Sequence, residues 1–547
     1  MKRKPFLMVA GFLAVLFLVT VLGCSSDSSD SNTLLKGAFL EQPAGDNHPP
    51  ILHIEGNHYE MGFQQGYLLA DRIAETYSPF FTFVAYMYYF PEPKDRVVLD
   101  QTQLKVFYEL LIQQSKKYFL SVIQDKTPEL LNEIQGMADG LAAKGSSFGF
   151  DDIVAMAALC DVVDNTILFS DFFELSGNKV ETPISGMGCS GFTAWGSATF
   201  DGRIIHGANQ DLPSIGLLDQ TIVTVAKPDT GNAFLQVSFP GWFTMSGMNE
   251  AGISASEMAS PSSDTNLMEN PEIPHTLHMR MMVQYANDLE EAKETIRIYG
   301  GASGWNILVS DSNAREAVDI ECSTLKVGPV YPWDDPSTPS VDEAQGLCVT
   351  NQYMSCPEFR GYSGENLTLD QMKYDGVDTS SWGTGNEYKV NWEAQFQKET
   401  YLRSGSWDRW SRLWDLYASK YEAITVEDVI AFMSDTEKGP HGGIISHASE
   451  EIKWFDGDPV PQINGPDKPI TFYVLASMYS CVFDLESSTN GVIWIAAAGA
   501  KPAQKGKFYP IDFGESLNRK NWGMHLTPVT TRCRMPLHGG RLPTELA

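Results

Sequence analysis

Positive charge is scarce in this 547-residue chain, which has 39 lysines and arginines against 69 aspartates and glutamates. The formal net charge at pH 7 is −30. A field of this sign repels phosphate backbones and anionic lipid head groups. The composition therefore argues against nucleic acid as a partner and against attachment to a membrane surface through charge.

Motifs that would indicate a metal or a cofactor are also missing. The sequence has no HExxH, no paired CxxC, no P-loop and no GxSxG, so metalloprotease, redox, nucleotide-binding and serine-hydrolase chemistry lack their signatures. His275 and His278 are spaced for one helix face and could hold a metal, but a helix-end histidine is more often structural. We therefore expect no metal and no other cofactor.

Near the start of the chain, three basic residues at 2–4 precede an apolar run over 6–22, and Cys24 follows two residues after the run. This pattern resembles a bacterial lipoprotein signal peptide, after which the cysteine is lipidated and becomes the mature N-terminus. We predict a signal peptide over 1–23 and a lipidated tether over 24–50, which would hold the protein on the cell envelope outside the cytoplasm. The alternative is an uncleaved membrane anchor, for which the run is short.

The pattern of the chain changes near residue 188. From residue 59 to about 164, apolar residues recur at helical spacing with few strand signals. From Cys189 onward, β-branched alternation and turn pairs predict many strands, with helices returning at 278–300, 407–420 and 426–433. This predicts an α+β fold, with a helical N-terminal segment over 51–188 and a catalytic region over 189–547.

A hairpin is predicted around Asp201-Gly202, which is a strong two-residue turn signal. Residues 191–200 before the turn and 203–207 after it are predicted to be paired strands, with Asn209 and Asp211 just beyond the second strand. Antiparallel pairing places Cys189 at the open end of the hairpin. Asn209 and Asp211 are therefore expected to lie near the cysteine.

Cleavage between Gly188 and Cys189 would free an α-amino group beside a thiol. A free α-amine titrates near roughly 7.7–8.0, so it could accept the thiol proton at neutral pH while Asp211 held it in place. One residue would then supply both the base and the nucleophile. Taken alone, a Gly-Cys pair at the start of a strand is more often a small buried pair.

Six short segments extend this interpretation. They are E-x-G-x-x-x-G at 60–66, E-x-x-G-x-A-x-G at 133–140, G-x-N-x-D at 207–211, G-x-N-E-x-G at 247–252, S-G-W-N at 303–306 and S-x-x-R-aromatic at 406–410. In this order they resemble the signatures of the N-terminal-nucleophile (Ntn) hydrolases, in particular the isopenicillin N acyltransferase-like branch of autoproteolytic cysteine enzymes. The resemblance spans about 54–510 and implies a four-layer αββα sandwich with an N-terminal helical segment.

The resemblance also implies roles for individual residues. Cys189 would be the nucleophile, its own amine the base, and Asp211 the group that orients the amine. Asn306 would help to bind the oxyanion, and Arg409 would support the site electrostatically. Candidate substrate or oxyanion contacts are Asn209 and Asn249, of which Asn249 fits a turn better than catalysis.

The predicted function is an exported, thiol-dependent amidohydrolase that cleaves a linear amide through a Cys189 thioester after self-cleavage at Gly188-Cys189. Its substrate would be an N-acyl amino acid, an N-acyl amine or a related acyl amide, and aromatic residues over 80–90 suggest an apolar acyl pocket. The cleaved fragments would stay associated, and the membrane would be contacted only through the N-terminal lipid. The alternatives are an acyltransferase or a phospholipase B-like esterase on the same fold, and a ligand-binding lipoprotein without catalysis.

Overall fold

The structure is a computed structural model of the chain. It describes residues 33–89, 97–164, 188–212, 214–260, 272–322, 327–330, 345–351, 366–367, 390–391, 406–439, 443–447, 451–473, 476–499 and 503–519. The predicted signal peptide and Cys24 lie outside the described residues. None of the described helices combines the length and the apolar character needed to cross a bilayer.

The helices fall into an N-terminal group and a later group. Those before residue 188 are α1 His58–Leu68, α2 Ala70–Tyr89, α3 Gln101–Ser115, α4 Ser121–Lys126, α5 Pro128–Ala143, α6 Phe150–Ala157 and α7 Leu159–Asp164, with a π-helical turn at Lys116–Leu120 between α3 and α4. Those after it are α8 His275–Tyr285, α9 Leu289–Tyr299, α10 Ser406–Lys420, α11 Val426–Met433 and α12 Phe513–Asn518.

The strands form two large sheets and three two-stranded ribbons. The nine-stranded sheet contains, in spatial order, β1 Phe39–Glu41, β2 Ile51–Gly56, β5 Ile222–Pro228, β6 Phe234–Ser238, β7 Ser246–Asn249, β8 Ile253–Ala259, β9 Trp305–Asp311, β10 Glu316–Cys322 and β11 Val327–Val330. The six-stranded sheet contains β12 Gly346–Val349, β3 Gly188–Gly196, β4 Gly202–Leu212, β19 Ala476–Asp484, β20 Val492–Ala497 and β21 Tyr509–Asp512. The ribbons are β13 Asn366–Leu367 with β14 Val390–Asn391, β15 Glu451–Lys453 with β18 Thr471–Tyr473, and β16 Pro459–Gln462 with β17 Gly465–Pro469.

The two large sheets pack face to face between helical layers. Strands β3 and β4 of the six-stranded sheet contact β8 and β9 of the nine-stranded sheet, and at Gly191 an added Cβ would lie 2.6 Å from the terminal methyl carbon of Met258. Helices α1, α8 and α9 cover the outer face of the nine-stranded sheet, while α10 and α11 cover that of the six-stranded sheet. The predicted α+β, four-layer αββα sandwich with an N-terminal helical segment is confirmed.

The predicted antiparallel pair is present, but residues 197–201 connect its strands, in place of the two-residue turn predicted at Asp201-Gly202. β3 and β4 pair antiparallel from Gly188 opposite Asp211 to Gly196 opposite Gly202. Gly202 turns the chain with a φ of +80°, a conformation that costs glycine little. The turn therefore returns the chain to the beginning of β3, as expected.

The N-terminal segment is built into the sandwich. Strand β2 pairs in parallel with β5, so residues on both sides of position 188 share the nine-stranded sheet. Helices α1 and α5 cross closely, because an added Cβ at Gly62 would lie 2.0 Å from the Glu133 carbonyl oxygen and one at Gly136 equally close to that of Tyr59. Strand β1 lies within the predicted tether over 24–50, and β2 begins the predicted segment over 51–188, whose described remainder is mainly helical.

Two buried ion pairs also join the N-terminal segment to helix α8. Glu133 of α5 lies 3.1 Å from Arg280 of α8, and its carboxylate also lies 2.7 Å from the His58 ring. Asp161 of α7 lies 2.8 Å from the His275 ring. Since an unpaired buried charge is strongly unfavourable, each pair ties the N-terminal segment to the rest of the body.

Several predicted element boundaries differ from the structure. The single helix expected over 278–300 is two helices, because Ala286 has an extended backbone and Asp288 starts α9 as its N-cap. The prediction of a helix over 426–433 with Thr425 as N-cap is confirmed, since the Thr425 hydroxyl accepts from the Asp428 N–H. Local capping chemistry thus sets both boundaries.

Candidate active site

Cys189 lies at the second residue of β3, at the open end of the hairpin. It is 1% exposed and is opposite Gln210 in the register, while Gly188 is opposite Asp211. The backbone of Asp211 hydrogen-bonds to the Cys189 sulfur. The hairpin therefore brings together the cysteine, the bond before it and the carboxylate, as the sequence predicts.

The backbone nitrogen of Cys189 is held by an amide side chain. Its N–H donates to Asn351 Oδ1 over 2.7 Å, and Asn351 in turn donates from Nδ2 to the Ala259 carbonyl over 2.7 Å. Asn351 directly follows Thr350 at the end of β12, which pairs with β3. The sequence analysis did not select Asn351, although the pairing of its strand with β3 is what carries it to the site.

Arg409 is fully buried beside the cysteine. One guanidinium nitrogen donates to the Cys189 carbonyl oxygen and to Ser190 Oγ, the latter over 3.1 Å, and the other donates to Asn351 Oδ1 over 2.7 Å. Its hydrogen bonds therefore go to the residues around the nucleophile. They do not form the bidentate pair with a carboxylate that a guanidinium can offer, and Arg409 acts on Asp211 through charge.

Asp211 is fully buried at the other side of the nucleophile. The Ser477 hydroxyl donates to Asp211 Oδ1, and the ring of His447 approaches Oδ2 to 3.9 Å. The pKa of Asp211 is raised to about 7, because burial outweighs the Arg409 cation and the Ser477 hydrogen bond. The carboxylate is therefore balanced between its two protonation states near neutral pH.

The thiol is protonated in the uncut chain. The pKa of Cys189 is raised to about 12, first by burial and then by the Asp211 carboxylate, against the opposing effects of the Asp211 backbone and Arg409. A thiolate is the reactive form of cysteine, so a base must take the proton for Cys189 to react. An amine freed at Cys189 itself would be the nearest such group.

The three remaining asparagines lie in different places. Asn306, on β9, donates from Nδ2 to the Thr350 carbonyl over 2.8 Å and so holds the residue next to Asn351. Asn209 donates to the carbonyls of Met433 and Ile445, each over 2.8 Å. Asn249 accepts from the Ala251 and Ile253 N–H groups and donates to the Ala286 carbonyl, which is the turn geometry expected for it.

The two helix-end histidines have separate partners. His275 lies against Asp161 and, at 3.3 Å, against Glu257, whereas His278 lies 2.8 Å from the Gly300 carbonyl oxygen. Within the described ranges, no group of three or more histidine, cysteine, aspartate or glutamate side chains is arranged to hold a metal ion. His275 is part of an ion pair that crosses the fold.

Comparison with known proteins gives one relative by sequence. No family model matches the chain. An uncharacterized protein of Archaeoglobus fulgidus is 28% identical over 273 residues, which is 49% of this chain and 42% of the relative. The chain thus spans less than half the length of this curated relative.

Three solved structures with some likeness are amide-cleaving enzymes by their descriptions. A mutant of conjugated bile acid hydrolase from Clostridium perfringens is 12% identical with a TM-score of 0.33, covering 60% of this chain and 93% of its own. Penicillin V acylase from Agrobacterium tumefaciens is also 12% identical at 0.33, covering 60% and 87%. The Caenorhabditis elegans N-acylethanolamine-hydrolyzing acid amidase ortholog is 19% identical at 0.25, covering 39% and 85%.

Proposed function

We propose that the protein is a thiol-dependent amidohydrolase of the N-terminal-nucleophile kind, which cuts itself at Gly188-Cys189 and then hydrolyses a linear acyl amide through a Cys189 thioester. One observation carries the proposal. The nitrogen of Cys189 is held by Asn351 and lies on the strand opposite buried Asp211. Cutting the preceding bond would therefore leave a free amine held by Asn351 Oδ1, next to the residue that is opposite Asp211.

The self-cleavage step uses the same sulfur as the later reaction. The Cys189 thiol attacks the Gly188 carbonyl carbon and gives up its proton, the bond to the Cys189 nitrogen breaks, and that nitrogen takes up the released proton to become the free amine. The resulting thioester between Gly188 and the sulfur is hydrolysed by water, which releases the Gly188 carboxylate and restores the thiol. Glycine at position 188 places no side chain in the path of the sulfur.

Hydrolysis of a substrate follows the same course. The freed amine takes the thiol proton, the thiolate attacks the substrate carbonyl, and the amine returns the proton to the leaving nitrogen. Arg409 supplies a fixed positive charge near the developing negative charge, which has its largest effect in a site closed to water. Water then hydrolyses the thioester to the free acid.

An apolar acyl group is favoured by an aromatic series that leads to the site. Phe80 of α2 packs on Trp242 at 5.6 Å between ring centroids, Trp242 packs on Phe239 at 5.4 Å, and Phe239 lies 6.4 Å from Tyr479. Tyr479 is opposite Gln210 on β4, which is opposite Cys189. The rings thus connect the aromatic-rich stretch noted in the sequence to β19, which β4 separates from the nucleophile's strand, and we take this apolar path to favour an N-acyl amide as substrate.

We expect purified protein to release free amine from members of a panel of N-acyl amino acids and N-acyl amines whose acyl chains range from short aliphatic to long aliphatic and aromatic. Activity should rise with the apolar area of the acyl group and disappear after treatment with iodoacetamide, measured by an amine-reactive fluorophore. A Cys160→Ala variant, which changes a cysteine of α7 outside the site, should keep its activity and its sensitivity to the reagent. Turnover that survives complete alkylation of Cys189 would show that another group is the nucleophile.

For location, we propose that lipid on Cys24 anchors the protein to the cell envelope, on its extracytoplasmic side. The protein should partition into the detergent phase, and Cys24→Ala should move it to the aqueous phase or leave it unprocessed. Ser25→Ala, one residue along, should partition as the wild type does. A wild-type protein that is soluble without detergent and carries no acyl mass contradicts the anchor.

A further inference from the structure

The Asp211 carboxylate has one hydrogen-bonded oxygen and one oxygen without a hydrogen-bond partner among the described residues. Oδ1 accepts from the Ser477 hydroxyl, whereas Oδ2 is buried and accepts from no described group. The atom facing Oδ2 is Nε2 of His447, at 3.9 Å, and this nitrogen is also buried without a described partner. A donor and an acceptor, each lacking a partner, thus face each other beside the nucleophile.

The backbone places the His447 ring. The His447 N–H donates to Ser477 Oγ over 2.9 Å, and the Ser477 N–H donates to the His447 carbonyl over 3.2 Å. The preceding residues are held as well, because the Ile445 carbonyl accepts from Asn209 and the Ser446 N–H donates to the Asp435 carbonyl. Asn209 therefore supports this segment, and four hydrogen bonds fix the backbone that carries the His447 ring.

The charges around the pair favour a neutral ring. Among the described residues, Arg409 on α10 is the cation that acts on both Asp211 and His447. The other described groups at Asp211 are Cys189 on β3 and Ser477 on β19, and the His447 ring lies 3.9 Å from Oδ2. Burial and Arg409 lower the pKa of His447 to about 3. A neutral imidazole carries one N–H, which can be placed on Nε2.

We propose that His447 is a positioning residue that donates Nε2–H to Asp211 Oδ2 after a small shift of the ring, and so keeps the carboxylate ionised to hold the freed amine of Cys189. The inference rests on the proposed function for the amine it serves. A separation of 3.9 Å exceeds a direct hydrogen bond by about 1 Å, which a rotation of the His447 side chain can close.

The first test is the pH dependence of kcat/KM for amide hydrolysis in the processed enzyme. His447→Phe keeps a planar ring without a donor, so the pKa of Asp211 should rise and the acid limb should move upward by about 1 to 2 pH units, which is what a hydrogen bond to a charged group corresponds to. His447→Gln retains an N–H near the same place and should return the limb to the wild-type position. The proposal is overturned if the acid side of the pH profile of kcat/KM does not shift in His447→Phe, or if it lies at the same pH in the Phe and Gln variants. His48→Gln is the matched histidine control, since His48 packs on Tyr509 near β21.

The second test needs no turnover and uses the uncut Cys189→Ala chain. Because the folded pKa of Asp211 lies near 7 and the unfolded value near roughly 3.9, the stability contributed by its protonated form is complete below about pH 4 and is lost as the pH rises through about 7. His447→Phe should extend this loss to higher pH, and His447→Gln should not. The pH dependence of the difference in unfolding temperature between these two variants should vanish in an Asp211→Asn background. A pH dependence that persists there overturns the inference, and this outcome is independent of whether the enzyme hydrolyses amides.

Discussion

Wild-type protein should separate into two chains on a reducing denaturing gel, whereas the Cys189→Ala variant should run as a single chain without activity. The reason is that the sulfur is both the group that cuts the Gly188-Cys189 bond and the nucleophile that the cut prepares. Intact-mass measurement should give fragments that end at Gly188 and begin at Cys189. Sequencing of the larger fragment should read Cys-Ser-Gly-Phe-Thr.

Cys481→Ala is a matched control for this experiment. Cys481 is fully buried on β19 and is opposite Ala208 of β4, so its removal also changes a buried sulfur in the same sheet. This variant should be cut and active. An intact wild-type chain with full activity would instead exclude the N-terminal-nucleophile mechanism and favour a nucleophile that needs no processing. An intact, inactive chain would favour a binding protein.

Asn351→Ala should lower kcat/KM by on the order of 10², the size of effect produced by displacing a catalytic group by about 1 Å. Asn351 Oδ1 accepts from the Cys189 nitrogen and from Arg409. Its loss would leave the Cys189 amine, the proposed base, unheld and would remove a hydrogen-bond partner of the buried Arg409. Kinetics on the processed enzyme should show a fall in kcat, because the amine is then misplaced in the bound complex. Thermal unfolding separates this effect from loss of the fold.

The loss of kcat/KM in Asn306→Ala should be compared with that in Asn351→Ala. The sequence resemblance assigns Asn306 to the oxyanion, which predicts a loss of about 10²–10³, while its contact in the structure is with the Thr350 carbonyl. Acting through Thr350, it should cost less than Asn351→Ala. A loss of about 10²–10³ for Asn306→Ala together with a small loss for Asn351→Ala would reverse this ranking and make Asn306 the direct donor.

The hairpin was predictable because its information is local. Asp201-Gly202 marks where the chain turns back, and antiparallel pairing then carries β4 past the start of β3, while residues 197–201 and a register shift between Ala194 and Gly196 set which residues are opposite. Cys189 and Asp211 could therefore be placed together from the sequence alone. The same holds for α11, whose capping residue stands next to its first turn.

The other half of the site was not predictable in this way. Asn351, Ser477 and His447 reach the cysteine only because β12 pairs with β3 and β19 pairs with β4. Strand order is a tertiary property, and single asparagines, serines and histidines are common in turns. Strand β2 was missed for a related reason, since a short apolar run ahead of a helix shows its role only once β5 lies beside it.

The parallel pairing of β2 with β5 gives the proposed cut a thermodynamic consequence. In the uncut chain, β2 and β5 are covalently linked, and unfolding is a unimolecular event. After cleavage, the same sheet and the ion pairs Glu133–Arg280 and Asp161–His275 join two separate molecules. Unfolding then releases the two fragments, so the midpoint of unfolding depends on protein concentration. Refolding becomes second order, because the two fragments must meet. The mature protein would thus be assembled once, as a single chain, and would return slowly or incompletely from the unfolded state at low concentration.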